Sequence, residues 1–95
     1  MSRYTLREIA EILGLDPGVL EELAREEILT PDVPEACYSE RMLERARVCH
    51  ELVHELEVNL AGASVIVRLR EAVVVLHQHV RVLALEVERT RTRNE

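Results

Sequence analysis

The chain is 95 residues long, a length that suits one domain and excludes a catalytic domain carried beside a separate regulatory one. Apolar residues make up 47 % of it, with Tyr4 and Tyr38 the only aromatic side chains, so any core is built from Leu, Val, Ile and Ala. All twelve basic residues are Arg and the net charge is −6, split as −8 over residues 1–67 and +2 over residues 68–95; the N-terminal two thirds therefore repels phosphate backbones and attracts a basic partner.

Thr5-Leu6-Arg7-Glu8 has the spacing of a capping box, in which the Thr hydroxyl and the Glu carboxylate each satisfy an orphan helical N–H. It predicts a first helix to about Leu13, with Leu6, Ile9, Ala10 and Leu13 on one face and Gly14 placed to stop it. Asp16 followed by Pro17 starts a second helix, with Val19, Leu20, Leu23 and Ala24 facing inward. Two short helices joined by "Gly-Leu-Asp" fit both a helix-turn-helix and an ordinary helical hairpin.

Pro31 and Pro34 predict an extended loop through about Ala36. Ser39 is placed to cap a third helix over about 40–57, whose apolar stripe is Met42, Ala46, Cys49, Val53 and Leu56. Asn59 is placed to cap a fourth helix that runs to about residue 91 and ends in a frayed "RTRTRNE". Within it Ile66, Leu69, Val73, Leu76, Val80, Leu83 and Val87 alternate steps of three and four, a heptad seam that asks for a mate. A helix of this length spans about 45 Å, more than the rest of so small a chain covers. The chain divides on this reading into a helix-turn-helix region, residues 1–58, and a long C-terminal dimerisation helix, residues 59–95.

Charged residues and His77 and His79 interrupt the Val-rich stretch 65–87, which excludes a membrane span. The opening "MSRYTLREIAEI" has no apolar run of the secretory kind. Cys37 and Cys49 lack C-x-x-C spacing and read as reduced thiols, so a cytoplasmic protein is expected.

His50-Glu51-Leu52-Val53-His54 spells H-E-x-x-H, the string of zinc peptidases, in which two His one helical turn apart hold the metal and the Glu activates water. The extended form fails here: Glu57 stands where Gly is needed and Leu60 where the third His is needed. Glu71, His77 and His79 have no spacing that recommends them as distant ligands. Both imidazoles also fall about 80–120° from the centre of the apolar stripe, where a solvated His is ordinary. The expectation is a non-enzyme with no metal and no cofactor.

Taken together, "YTLREIAEILGLDPGVLEELAREEILTP", "CYSERMLERARVCHEL" and the coiled-coil helix resemble the MerR superfamily over about residues 4–87. The resemblance implies an all-α fold: a MerR-like helix-turn-helix, a short degenerate wing loop, a third helix and a long C-terminal coiled-coil helix. It also implies a homodimer, with that helix antiparallel to its mate. In the family the second helix and wing grip DNA through an Arg-Tyr pair and further cations. Here the second helix carries Asp16, Glu21, Glu22, Glu26 and Glu27 against Arg25, and the loop adds Asp32 and Glu35 with no Arg. Anions in those places oppose phosphate contact.

"HELEVNLAGASVIVRLREAV" is similar to a junction found in CbpM-type chaperone modulators, DafA-type assembly factors and HspR-type repressors. The matching residues are His54-Glu55-Leu56 and Val58-Asn59-Leu60-Ala61-Gly62; Leu56, Val58 and Leu60 are expected to pack the corner, Asn59 to cap, and Gly62 to allow close approach. The resemblance implies as partner the J domain of a DnaJ/CbpA-type co-chaperone that works with Hsp70 (DnaK), and the acidic face has the sign to attract it. The residues expected to meet it are Glu21, Glu22, Glu26 and Glu27, with His50, Glu51 and His54 lining an adjacent face. An HspR/MerR-like DNA-binding regulator of a heat-shock operon is the alternative.

Overall fold

The structure, a computed structural model, describes residues 2–94. Its regular elements are four helices: α1 (Leu6–Leu13), α2 (Pro17–Arg25), α3 (Glu40–Glu55) and α4 (Leu60–Asn94). The fold is all-α; among the described residues the β pairing is confined to the isolated bridges Tyr4–Tyr38 and Val33–Cys37. The chain forms two compact units, Met1–Ser64 and Val65–Glu95.

Local chemistry fixes the first two helices. The Glu8 N–H donates to the Thr5 hydroxyl at 3.1 Å and the Thr5 N–H to the Glu8 carboxylate at 3.0 Å, so the capping box is closed. Gly14 ends α1 at φ 67°, and the Leu15 N–H returns to the Ala10 carbonyl at 2.9 Å. The Asp16 carboxylate accepts from the Gly18 N–H at 2.8 Å to begin α2. α2 closes with the same αL device, but on a glutamate: Glu27 has φ 59°, while its N–H reaches the Ala24 carbonyl and that of Ile28 the Leu23 carbonyl. α1 and α2 pack against each other, and Ile9, Ala10, Leu20 and Leu23 are buried.

The loop after α2 differs from the expected extended run. Glu35 and Ala36 both take left-handed backbone, at φ 66° and 56°, and fold the chain into a tight turn that brings Cys37 back to Val33. Tyr38 then exchanges two backbone hydrogen bonds with Tyr4, of 2.8 and 2.9 Å. The Tyr4 hydroxyl donates to Glu40 at 2.9 Å, which ties the N-terminus to the first turn of α3.

Ser39 precedes α3 but makes no side-chain cap bond to it. Its hydroxyl and its N–H both donate to Asp32, at 2.5 and 2.8 Å, because the loop presents that carboxylate first. Burial raises the Asp32 pKa, but the bonds from Ser39 and the charge of Arg41 outweigh it and hold the carboxyl below its ordinary value. On α3, Met42, Ala46 and Cys49 are buried as the stripe predicts. The sequence reading missed Arg45, which is only 7 % exposed and donates to the Ile28 carbonyl at 2.8 Å.

α3 stops two residues short of the expected end. Glu57 adopts φ 54°, and the Val58 N–H turns back to the Leu52 carbonyl at 3.0 Å. Leu56 therefore leaves the stripe and is 67 % exposed, so it does not pack the corner; Val58 and Leu60 are half-buried there. The Asn59 side chain caps α4 by accepting from the Gly62 N–H at 2.7 Å. A Cβ on Gly62 would meet the Val58 side chain at 3.0 Å and that of Asn59 at 3.2 Å, so a larger residue there would press on both.

α4 has 35 residues and stays helical to Asn94, past the fraying expected near residue 91. The Thr90 and Thr92 hydroxyls bond the Glu86 and Glu88 carbonyls at 3.0 Å, and Arg91 lies 3.6 Å from the Glu88 carboxylate. The last residue of the expected frayed tail, Glu95, lies outside the described residues. Every residue from 72 to 94 is exposed. Exposure along the heptad positions runs from 38 % at Ile66 to 63 % at Val73, and Val74, Val75, Val82 and Leu85, off that seam, are exposed too. No helix among the described residues is long and apolar enough to cross a membrane.

Candidate functional site: a cleft beside the acidic helix

The first unit holds an open cleft of about 120 Å³ lined by Val19, Glu22 and Leu23 of α2, Cys49, His50, Val53 and His54 of α3, and Leu60. Spacing explains the assembly. Val19 and Leu23 lie one turn apart on α2, as do Cys49 and Val53 on α3, so two apolar ridges face each other. Beside it, Glu26, Ile28, Leu60, Ala61 and Ser64 line a second, more open groove.

The structure thus brings Glu22, His50 and His54 into one cleft and sets Glu26 in the adjoining groove. Glu21 and Glu27 are exposed but line neither. Glu51 points its charge elsewhere: the Arg47 guanidinium donates to it at 2.6 Å and also bonds Glu44. Hydrogen bonding and charge from Glu44, then the charge of Glu51, raise the Arg47 pKa above its ordinary value.

His50 is not the solvated histidine that helical periodicity suggests. It is half-buried, its ring lies 4.2 Å from that of His54 between centroids, and its Nδ1 is buried without a hydrogen-bond partner. His54 is exposed. The apolar walls Val19, Leu23, Val53 and Leu60 escaped the sequence reading as site residues. Their helical spacing was visible, but only the packing of three segments reveals a shared gap.

The H-E-x-x-H string can be judged from this geometry. The carboxylate that would activate water is engaged by Arg47, and the two imidazoles lie against each other with their planes tilted by 39°. Among the described residues no group of three or more His, Cys, Asp or Glu side chains is placed to hold a metal ion. Burial raises the pKa of the Cys49 thiol, which keeps it protonated and a poor nucleophile.

A helix pair with a tight glycine turn, a bridged turn in the place of a wing, a third helix and a long terminal helix are the element order of a helix-turn-helix protein. The chain belongs to the MerR family: the family model described as MerR HTH family regulatory protein matches residues 4–84. No curated protein and no solved structure matches the chain.

Proposed function

We propose that this MerR-family protein is a cytoplasmic, non-enzymatic chaperone modulator or assembly factor. It binds the J domain of a DnaJ/CbpA-type co-chaperone and so regulates that domain's access to Hsp70 (DnaK). The observation that carries this reading is the charge of α2 and its exit. Glu21 and Glu22 are exposed on the helix that a DNA reader lays against phosphates, and Glu26 and Glu27 are exposed just past its end. Such a surface loses the counterion-release term that drives nucleic-acid binding and gains attraction for a basic helix. Glu22, His50 and His54 form the nearest part of the docking face, with Glu21, Glu26 and Glu27 steering the encounter. Glu51 contributes through its ion pair with Arg47. The protein works as a homodimer through Ile66, Leu69, Val73, Leu76, Val80, Leu83 and Val87, whose exposure supports burial against a second copy.

The test is a pull-down against the DnaJ-type protein of the same organism, with Glu21→Arg/Glu22→Arg as control. Capture by the wild type and its loss in the reversed variant are expected. No capture by the wild type overturns the reading. Family membership favours a second reading, a DNA-binding regulator of a heat-shock operon, because a regulatory helix-turn-helix model matches most of the chain. Tight, salt-sensitive and sequence-selective binding to a promoter fragment would establish it instead.

A further inference from the structure

We propose that the cleft lined by α2, α3 and Leu60 is the anchor pocket of the docking face. Its occupant is one aliphatic side chain of a basic partner helix, with a neighbouring cation on Glu22. This rests on the protein-docking reading above and names what the partner must present.

Size argues first. The cleft's volume is about 120 Å³. Small-molecule sites commonly enclose roughly 300–1,000 Å³. An apolar cavity of about 150 Å³ is filled by a single benzene. A cleft of this size therefore suits one side chain and is too small for a cofactor.

Lining comes next. Val19, Leu23, Val53 and Leu60 give an apolar wall, and the Cys49 thiol is neutral. Among the lining residues the polar side chains are Glu22 and the two imidazoles, and among the described residues no third ligand completes a metal site. An apolar pocket edged by a carboxylate selects an aliphatic group with a cation beside it and disfavours an acidic segment. Glu26, four residues on in the adjoining groove, offers a second carboxylate about one helical turn away, the repeat on which a helix carries paired cations.

Steering charges alone act mainly on encounter, whereas a filled pocket holds the complex together.

The test titrates the full chain, carrying ¹³C-labelled Val and Leu methyls, with the J domain of the co-chaperone. The methyls of Val19, Leu23, Val53 and Leu60 are expected to shift on binding. Val53→Phe, which fills the cleft, is expected to weaken binding by roughly tenfold or more. Leu56→Phe, at an exposed site outside the cleft, is expected to bind as the wild type does. If the wild type binds while the four methyls stay still, or folded Val53→Phe keeps full affinity, the anchor is rejected and the docking reading stands. If the wild type does not bind the J domain, the docking reading fails and the anchor fails with it. The methyl readout needs no variant, so a misfolded Val53→Phe does not rescue the proposal.

Discussion

The two units treat the same kinds of side chain in opposite ways. In residues 1–64, Ile9, Leu20, Ile28, Leu29 and Met42 are each at most 2 % exposed. Helix ends there are closed by Thr5, Gly14, Asp16 and Asn59. In residues 65–94, Leu69, Val73 and Leu76 are each at least 60 % exposed. The first unit has its own core. In the second Val67 is buried, but every apolar side chain from residue 72 to 94 is exposed, and helices in water take most of their stability from packing. The charge divides along similar lines, with the acidic excess in the first 67 residues and a small positive balance beyond. The lesson is a division of labour: one unit carries the proposed recognition surface, and the other carries the surface proposed to join two copies.

That contrast breaks most visibly at the seam. Val73→Glu with Leu76→Glu places charges in the proposed dimer interface, at a cost of several kcal/mol, and is expected to turn the dimer into a monomer by light scattering, with loss of helical circular dichroism. Tyr4 and Tyr38 are the only aromatic residues, so tyrosine fluorescence reports on the first unit and is expected to stay native. A dimer that survives moves the interface off this seam, toward Val74, Val75, Val82 and Leu85.

The reverse experiment acts on the core. Leu20 is fully buried, and Leu20→Ala is expected to lower the unfolding free energy read by tyrosine fluorescence by about 2–5 kcal/mol. Its mass in light scattering should stay dimeric; a shift to monomer would show that the units are not separable in this way.

Acid sharpens the picture of the loop. The folded-state pKa of Asp32 is depressed, so its contribution to stability is present above the ordinary carboxylate value near 3.8 and is lost as pH falls through the lower folded value. Asp32→Asn is expected to flatten the acid limb of a stability–pH profile below about pH 4. An unchanged limb would remove the Asp32–Ser39 link from the account.

The smallest effect concerns Glu57, which holds φ 54° at the end of α3. Glu57→Gly relieves a left-handed side chain at some entropic cost and is expected to raise stability by about 0.5–1 kcal/mol in urea unfolding. A loss of stability would mean that the Glu57 side chain contributes more than its backbone strain removes.

How much of this was legible depended on the reach of the chemistry. The capping box at Thr5 and Glu8, the stop at Gly14 and the Asp16–Pro17 start each involve neighbours within five residues along one stretch of chain, and the structure reproduces them. Ser39 was misjudged because its true partner, Asp32, is seven residues back across a loop. Leu56 was misjudged because the αL residue that ends α3 is a glutamate, where glycine would have announced the stop. His50 was misjudged because periodicity describes one helix, whereas the cleft is made by α2, α3 and Leu60 together. The acidic residues were plain in the sequence, yet which of them adjoins the cleft emerged only from the fold: Glu22 lines it and Glu21 does not.

The most direct measurement titrates one purified preparation, at cellular ionic strength, with the J domain of its own DnaJ-type protein and separately with promoter DNA of a chaperone operon. Saturable binding to the J domain that weakens as salt is raised, with no sequence-selective uptake of DNA, is the predicted result. Selective binding to the operator alongside a silent J-domain titration would contradict the account.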